Sequence, residues 1–479
     1  MSRANRDLQL LINGAWRNGA GGEWLPVLNP ANEAQIGRLA VATTADLDDA
    51  LAAAKSGFQQ WRKVPALERS KVLRAAAALV RERLDSLAEW LTKEQGKPLV
   101  EAKLELNSCA EIFEWYAEEA RRVYGRLIPA RQPHVTQSVL PEPIGPVAAF
   151  SPWNFPGSQA ARKMAAALAA GCSIIIKGPE ETPSPTIGLA QALQDAGLPA
   201  GVLNVVFGRP AEISEHLIPS PIIRKVSFTG SVPVGKHLAQ LAAKYMKPAT
   251  MELGGHSPVV VFEDADLAAA TKQMAAFKYR NAGQVCISPT RFYVHQSIYA
   301  PFTDAFATAA KAVKVGDGLE PQTQMGPLAN RRRVETIDAM VNEAVADGAK
   351  LLAGGHRIGN QGYFYAPTVL ADIPTQSRIL HEEPFGPVAL MLPFQEDEEA
   401  ISRANDSAYG LAAYAYSRSA ARIELAGRSL EAGMVSINQI GLGPIETPFG
   451  GVKESGYGRE GGSEGIEAYL QDKFVSSAA

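Results

Sequence analysis

The sequence predicts an α/β fold with two parallel-sheet domains and a small extended β element. Residues 145–245 alternate short apolar strands with helices, and a second alternation runs from residue 258 to about residue 438. Such alternation is typical of parallel sheets covered by helices. The chain has 479 residues, which is too long for a single core, so we expect at least two domains.

The region before the first alternation is predicted to be mainly helical. A strand-and-turn region (residues 8–39) comes first, and Thr44 is a plausible cap for the first helix. Three alanine-rich stretches have the apolar spacing of amphipathic helices: residues 45–62, 67–94 and 99–124. Residues 125–144 contain several prolines and resemble an extended segment, either a protruding hairpin or a plain linker.

The two alternating regions give specific strand and helix predictions. Strands of the first set are expected at residues 147–150, 173–176, 202–207 and 225–228, with helices at residues 158–170, 184–195 and 234–245. Strands of the second set are expected at residues 259–262, 291–295, 351–353 and 388–394.

Composition narrows the class of protein. A formal net charge of −3 argues against nucleic acid or an anionic membrane as the main partner. The N-terminus does not resemble a signal peptide, and no uncharged apolar run is long enough to span a membrane. The three cysteines lack disulfide or zinc-site spacing, so we expect no metal and a reducing, cytoplasmic location.

A lone cysteine and an upstream carboxylate are candidates for covalent catalysis. Cys286 ends the stretch Asn-Ala-Gly-Gln-Val-Cys, and Glu252 stands beside Gly254 and Gly255 on a glycine-rich turn. A thiolate can attack a carbonyl carbon while a nearby carboxylate moves a proton. Taken alone the pair is weak, since an isolated cysteine is more often a small buried apolar residue.

Two βα turns are candidates for binding a dinucleotide. Gly230 and Ser231 follow a buried strand and open a helix, where backbone N–H groups can meet a pyrophosphate. Lys177 and Glu180 follow another strand and could bind hydroxyl groups or form a surface ion pair. Residues 456–461 match the G-x-G-x-x-G pattern, but no buried strand precedes them, so we reject them as a phosphate loop.

Seven short motifs, in order, resemble those of the aldehyde dehydrogenase superfamily, and the resemblance covers nearly the whole chain. They are residues 152–156 (Pro-Trp-Asn-Phe-Pro), Lys177 with Glu180, residues 228–231 (Phe-Thr-Gly-Ser), 252–255 (Glu-Leu-Gly-Gly), 283–286 (Gly-Gln-Val-Cys), 382–387 (Glu-Glu-Pro-Phe-Gly-Pro) and 448–453 (Pro-Phe-Gly-Gly-Val-Lys).

The resemblance implies oxidation of an aldehyde to an acid. Cys286 would form a thiohemiacetal, and the Asn154 side-chain amide and the Cys286 backbone N–H would hold the oxyanion. Glu252 would activate the water that hydrolyses the thioester. Branches of the family that transfer the acyl group to coenzyme A usually lack this glutamate, so its presence favours hydrolysis. The implied cofactor-binding residues are Trp153, Lys177, Glu180, Gly230, Ser231, Glu383 and Phe385.

The resemblance also implies an architecture and an assembly. Residues 1–124 and 145–253 would form the cofactor-binding Rossmann-like domain, and residues 254–450 the catalytic domain. Residues 125–144 and 451–479 would form the bridging element of a homodimer or homotetramer.

The implied substrate is a dicarboxylic semialdehyde. Arg162 occupies a position at which family members acting on succinate semialdehyde, 2-oxoglutarate semialdehyde (2,5-dioxopentanoate) and related ω-oxo acids carry arginine. Arg280 precedes the nucleophile at the spacing seen in the succinate semialdehyde enzymes, and Phe155 and Phe449 would line the same tunnel. Alternatively, both arginines pair with helix carboxylates. Residues 439–447 lack a serine that succinate semialdehyde enzymes can use, and Ser288 replaces a second cysteine found in some of them. The substrate therefore stays open among succinate, 2-oxoglutarate and glutarate semialdehydes.

Three other functions are alternatives to this interpretation. They are a broad-specificity aldehyde dehydrogenase, an enzyme for glutamate semialdehyde or aminoaldehydes, and a non-catalytic protein of the same fold. Intact Cys286, Glu252 and Asn154 disfavour the last, and Arg162 disfavours an amino substrate. Glu180 favours NAD, since a carboxylate accepts from the ribose 2′-OH but repels a 2′-phosphate, although Lys177 leaves NADP possible.

Overall fold

The computed structural model of the protein describes residues 6–478. Within that range the α-helices are α1 Thr44–Trp61, α2 Ala66–Glu82, α3 Leu84–Gln95, α4 Leu99–Glu119, α5 Ser158–Ala170, α6 Pro183–Asp195, α7 Pro210–Leu217, α8 Val232–Lys244, α9 Leu267–Tyr279, α10 Gln296–Ala312, α11 Arg331–Asp347, α12 Asp397–Asn405, α13 Ala420–Ser429 and α14 Glu464–Glu467.

The strands belong to four sheets. They are β1 Arg6–Leu8, β2 Leu10–Ile12, β3 Ala15–Arg17, β4 Trp24–Leu28, β5 Gln35–Ala40, β6 Arg126–Ile128, β7 Val135–Pro143, β8 Val147–Phe150, β9 Ile174–Lys177, β10 Leu203–Val206, β11 Lys225–Thr229, β12 Ala249–Glu252, β13 Pro258–Val261, β14 Arg291–His295, β15 Lys350–Ala353, β16 Thr368–Ala371, β17 Val388–Phe394, β18 Ala412–Tyr416, β19 Met434–Ile437, β20 Gly456–Tyr457 and β21 Leu470–Ala478.

The first large sheet has eight strands in the order β20-β12-β11-β8-β9-β10-β2-β3. Its five central strands, β12 to β10, are parallel, whereas β20, β2 and β3 join the edges antiparallel. The central strands are almost entirely buried, as expected for a sheet with helices on both faces. Their carboxyl ends meet at one edge, where ligands of open α/β sheets bind.

The second large sheet has seven strands in the order β15-β16-β17-β14-β13-β18-β19. Only β15 runs antiparallel to its neighbour. The buried apolar side chains form one cluster around each large sheet, so the described chain has two separate cores. The predicted α/β fold with two parallel-sheet cores is therefore confirmed.

Two three-stranded sheets complete the fold, one with the strand order β1-β5-β4 and the other with the order β21-β7-β6. Val135–Pro143 pairs along its whole length with Leu470–Ala478, and Arg126–Ile128 adds a third strand. The predicted extended segment is therefore a hairpin joined by the C-terminal strand. Gly456–Tyr457 pairs with β12 instead, so part of the segment 451–479 lies on the first large sheet. The domain boundaries given above stay a prediction.

Several local predictions need correction. The cap of α1 is Thr43 rather than Thr44, because the Thr43 hydroxyl and the Asp46 carboxylate form a reciprocal capping box. The stretch 67–94 is two helices, divided at Arg83, where the backbone leaves the helical region. Glu252 ends strand β12, and the glycine-rich turn begins after it. None of the helices between residues 6 and 478 combines the length and apolar character needed to cross a membrane.

Helix α1 packs on the first large sheet through Gly57. A Cβ atom there would lie 2.4 Å from the carbonyl carbon of Gly201 and 2.5 Å from the nitrogen of Val202. Backbone atoms at that distance cannot be avoided by a change of side-chain rotamer. The close approach therefore requires glycine, despite its low helix propensity.

Gly57→Ala should lower the apparent melting temperature, because the forced separation costs about 1–3 kcal/mol. The matched control is Gly427→Ala in exposed helix α13, where the new Cβ would have its nearest neighbour at 3.7 Å. That variant should melt at the wild-type temperature or above it. Equal melting temperatures for the two variants would contradict the packing argument.

Candidate active site

A cavity of about 780 Å³ lies at the carboxyl ends of strands β8, β9 and β11. Five of the predicted cofactor-binding residues line it: Trp153, Lys177, Glu180, Gly230 and Ser231. The cavity's position at the sheet edge, and the helix N-terminus beside it, suit a dinucleotide. Residues that the sequence did not single out also line it, among them Glu181, Ser214, His237 and Arg332.

Ser231 and Gly230 form the turn that leads into helix α8. Ser231 is the N-cap residue, but its side chain makes no capping hydrogen bond, which leaves the hydroxyl available to a ligand. A Cβ atom on Gly230 would lie 2.4 Å from the ring of Phe228, so a larger residue there would have to displace that ring. The first N–H groups of α8 face this turn and suit a phosphate oxygen.

Lys177 and Glu180 form the ion pair that the sequence left as one alternative. The ammonium of Lys177 lies 2.5 Å from Glu180 Oε2, and Glu180 Oε1 accepts from the Gly208 N–H at 3.2 Å. Both side chains also line the cavity, so the pair is not confined to the surface. The carboxylate is held in place by two donors and can still accept from a ligand hydroxyl.

Glu383 and Phe385 lie on the loop before strand β17. The rings of Phe385 and Trp153 meet edge to face, with centroids 5.6 Å apart. Arg333 donates to the carbonyl oxygens of Pro384 and Phe385, which holds the loop where Phe385 has a φ of 46°. Burial raises the pKa of Glu383 to about 8, opposed by the N–H of Gly255 and the cations of Arg333 and Lys278.

The nucleophile candidate follows a strained turn. Asn281, Ala282 and Gly283 have φ values of 50°, 53° and 70°, and two of them are not glycine. A Cβ atom on Gly283 would lie 2.1 Å from the oxygen of Gly386, so the turn packs directly on the Glu383 loop. Gln284 is fully buried and ties the turn down by bonds to Asn281 O and the Ala329 N–H.

Asn154 reaches this turn from the other core. Its Nδ2 donates to the carbonyl oxygen of Gln284 at 3.1 Å, two residues before Cys286. A primary amide carries two hydrogens, so one remains for another acceptor. Asn281 Nδ2 donates in turn to Asn154 O at 3.0 Å and to Gln284 O at 3.2 Å. The structure therefore brings the predicted oxyanion donor beside the predicted nucleophile.

Cys286 is partly exposed, whereas Cys109 and Cys172 are buried. Burial, together with the carboxylates of Glu383 and Glu252, raises the pKa of the Cys286 thiol to about 12. In this arrangement the group is a thiol at neutral pH. It needs a base, or a change in the neighbouring charges, before it becomes a nucleophile.

Glu252 is buried, and neither carboxylate oxygen has a hydrogen-bond partner in the described structure. Gly450 packs against it, since a Cβ atom there would lie 2.8 Å from Glu252 Oε1. Burial and the neighbouring Glu460 raise the pKa of Glu252 well above its usual range, while Lys163 and the arginines nearby act in the opposite direction. Once ionised, a carboxylate with a raised pKa is a stronger base than an exposed carboxylate.

Glu460 belongs to a buried cluster that sequence reasoning missed. Lys163 Nζ lies 2.5 Å from Glu460 Oε1 and also bonds Thr229 Oγ1 at 2.8 Å and Ser227 Oγ at 3.2 Å. Glu460 lies within the rejected glycine pattern of residues 456–461, and the signal available was the pair Arg162 and Lys163 in the alanine-rich helix α5.

The two arginines predicted to bind substrate occupy different environments. Arg162 is buried on helix α5, its guanidinium lies 5.2 Å from the Phe449 ring, and one of its nitrogens donates to Gly443 O at 3.1 Å. The other terminal nitrogen, Nη1, is buried and has no hydrogen-bond partner among residues 6–478. Arg280 is exposed, and its guanidinium lies 5.2 Å from the Phe155 ring.

No group of three or more histidine, cysteine, aspartate or glutamate side chains within residues 6–478 is arranged to hold a metal ion.

Comparison with known proteins places the chain in a family. Residues 16–475 match the model of the aldehyde dehydrogenase family. The chain is 48% identical to 4-(hydroxymethyl)benzenesulfonate dehydrogenase TsaD1 of Comamonas testosteroni, over 98% of each sequence. It is 42% identical to glutarate-semialdehyde dehydrogenase of Pseudomonas putida, over 98% of this chain and 97% of that protein.

A solved structure agrees over the same extent. The crystal structure of succinate-semialdehyde dehydrogenase from Burkholderia pseudomallei matches with a TM-score of 0.96 and 42% identity, over 98% of both chains. The family model and the sequence relatives each cover nearly the whole protein. The chain therefore belongs to the aldehyde dehydrogenase family and is an oxidoreductase with that family's fold.

Proposed function

We propose that the protein oxidises an aldehyde that carries a distal anionic group to the corresponding acid, with NAD as the preferred cofactor. The observation that carries the proposal is Nη1 of Arg162, which is buried without a hydrogen-bond partner in the described part of the chain. The arginine also lies within Coulombic range of Glu252. A buried guanidinium nitrogen without a partner is costly unless an acceptor arrives. A substrate carboxylate or sulfonate is such an acceptor.

In the proposed reaction the Cys286 thiol gives its proton to solvent water, and the thiolate sulfur bonds to the aldehyde carbon. The carbonyl oxygen becomes an oxyanion, for which the second N–H of Asn154 and the Cys286 N–H are the donors. The bound cofactor supplies the acceptor for the hydride lost from that carbon, which leaves a thioester. Glu252 takes a proton from water, whose oxygen displaces the sulfur and releases the acid.

Two kinds of anionic aldehyde fit the proposal. A dicarboxylic semialdehyde of four or five carbons is favoured by Arg162 and Arg280 and by relatives named for succinate and glutarate semialdehydes. A sulfonated aldehyde is the second candidate, favoured by the 48% identity to the benzenesulfonate enzyme. The absence of serine from residues 439–447 is compatible with both.

The proposed cofactor residues support NAD over NADP. Glu180 is fixed by Lys177 and Gly208 at the sheet edge, where a ribose hydroxyl would be expected. Its negative charge would repel a 2′-phosphate. Arg332 lines the same cavity and offers a cation to the 2′-phosphate of NADP, so we expect NADP to be used with lower efficiency than NAD.

A homodimer or homotetramer is also proposed. The sheet of β6, β7 and β21 exposes large apolar side chains, including Leu127, Leu140 and Phe474. A patch of this kind is typical of a surface that another subunit covers.

Arg162→Met should lower kcat/KM for anionic aldehydes by roughly thirtyfold, the effect of about 2 kcal/mol for a lost charge-assisted contact. Propanal and benzaldehyde should be nearly unaffected. The measurement is initial NADH production with succinate, 2-oxoglutarate and glutarate semialdehydes, 4-formylbenzenesulfonate, propanal and benzaldehyde.

The control for that experiment is Arg69→Met, which removes a half-buried arginine that bonds only the backbone oxygens of Ala169 and Val64 in the described structure. Its substrate ranking should equal that of the wild type. If propanal and benzaldehyde are turned over as efficiently as the anionic aldehydes, and Arg162→Met changes nothing, the distal-anion proposal is wrong. The ranking within the wild-type series decides between carboxylate and sulfonate.

Glu180→Gln should shift the ratio of kcat/KM for NAD to that for NADP toward NADP by roughly tenfold or more, as expected for loss of one charged hydrogen bond of about 1.4 kcal/mol. The substitution removes the repulsion and frees Lys177. The control is Glu181→Gln, which changes an adjacent carboxylate of the same cavity. An equal shift in both variants would show that Glu180 does not select the cofactor.

Glu460→Gln should move the acidic limb of the deacylation rate to lower pH. Glu460 raises the pKa of Glu252, and Glu252 accepts a proton only when ionised, so removing the negative charge lowers the pH at which the base becomes active. The measurement is turnover of p-nitrophenyl acetate after the acylation burst, from pH 5 to 9. The exposed Glu454→Gln variant, which breaks only a surface pair with Lys236, should leave the limb unmoved.

A further inference from the structure

We infer that Lys97 is a positioning residue for Asn154, acting through the main chain of the turn that carries the amide. The inference rests on the proposed role of Asn154 as the oxyanion donor. Lys97 lies far from the catalytic motifs in sequence, between helices α3 and α4, and is almost completely buried.

The carbonyl oxygen of Asn154 accepts two hydrogen bonds. Lys97 Nζ donates to it at 2.8 Å, and Asn281 Nδ2 donates to the same oxygen at 3.0 Å. Two donors, one of them a cation, fix the peptide that follows Asn154. The ammonium also lies 4.0 Å from the centre of the Phe155 ring, so the next side chain is held as well.

Glu105 holds the other end of the same turn. Glu105 Oε2 accepts from Lys97 Nζ at 2.6 Å, while its Oε1 accepts from the N–H groups of Gly157 and Ser158 at 2.8 and 3.2 Å. These N–H groups open helix α5. Lys97 and Glu105 together therefore hold the turn on both sides of Phe155 and Pro156.

Lys97 is itself held by the junction between helices α3 and α4. Gly96 ends helix α3 with a φ of 96°, and Pro98 precedes α4, so the lysine stands on a short, stiff junction. Its N–H donates to Gln95 Oε1 at 2.9 Å, and the Leu99 N–H donates to Gly318 O at 2.9 Å. The junction is fixed independently of Asn154.

The position of the Asn154 backbone sets the direction of its side-chain amide. Asn154 Nδ2 already uses one hydrogen on Gln284 O, so the direction of the second depends on where the Asn154 backbone lies. Burying a lysine and a glutamate for packing alone is unfavourable compared with apolar residues of similar size. The pair is explained when the ammonium is needed on the Asn154 carbonyl oxygen.

The test compares two reactions of the Cys286 thiol in the protein without cofactor. Acylation by p-nitrophenyl acetate generates an oxyanion, whereas alkylation by iodoacetamide does not. Lys97→Met should slow acylation at least tenfold and leave alkylation within about twofold, because only the first reaction needs the amide in place. Asn154→Ala should slow acylation more, by roughly a hundredfold.

Lys97→Met leaves the Glu105 carboxylate buried without its cation, and the variant can fail to fold. The second comparison is therefore Lys97→Met/Glu105→Gln against Glu105→Gln, in which the glutamine oxygen still accepts from Gly157 and Ser158. The tenfold loss of acylation should persist in that background. Lys225→Met is the matched control and should leave the rates of acylation and alkylation unchanged. Lys225 is a buried lysine that donates to Thr250 Oγ1 at 2.8 Å, outside the Asn154 turn.

A double-mutant cycle completes the test. If Lys97 acts through Asn154, adding Lys97→Met and Glu105→Gln to Asn154→Ala should cost no more than about threefold further. Equal loss of acylation and alkylation, or full additivity, would overturn the inference and leave Lys97 as a packing residue. If Asn154→Ala slows acylation and Lys97→Met does not, only the inference fails. If Asn154→Ala itself has no effect, the proposed oxyanion role fails first.

Discussion

Hydrogen bonds between Asn154 and the turn before Cys286 join the two parallel-sheet cores at the site. Asn154 follows strand β8 of the first sheet, whereas Asn281 and Gln284 precede strand β14 of the second. Each core has its own apolar cluster, so the relative position of amide and thiol depends on these buried polar contacts. Such contacts are directional, and a satisfied buried network fixes one arrangement more tightly than apolar packing does.

The strained turn at Asn281 to Gly283 follows from the same constraint. Two non-glycine residues in the left-handed region are unfavourable in isolation. Here the Asn281 side chain donates to two carbonyl oxygens, and the Asn281 backbone N–H donates to Glu101 Oε2 at 3.0 Å. Gly283 packs on Gly386. The turn thereby fixes the main chain that leads from the Asn154 contact to Cys286 and packs it on the loop of Glu383.

The sequence was sufficient for what depends on local pattern, and insufficient for what depends on distant contacts. The parallel strands β8, β9, β11 and β17 were predicted because apolar runs bounded by turns specify them. Lys97 and Glu105 were missed, since a lysine in Gly-Lys-Pro or a glutamate in an amphipathic helix usually faces solvent. Glu460 was missed because it stands among glycines outside any helix. Only the fold shows that these charges are buried. Strand β18 was missed because its alanines carry little β propensity.

The electrostatics of the site connect the distal anion to the base. Arg162 lowers the pKa of Glu252, and burial and Glu460 raise it. Under the proposed function, a substrate carboxylate or sulfonate on Arg162 offsets the guanidinium charge. The pKa of Glu252 then rises further while the substrate is bound, so the pH at which the base becomes ionised moves upward. A neutral aldehyde leaves the guanidinium charge of Arg162 uncompensated, and that pH stays lower. The acidic limb of the hydrolytic step therefore depends on the charge of the substrate.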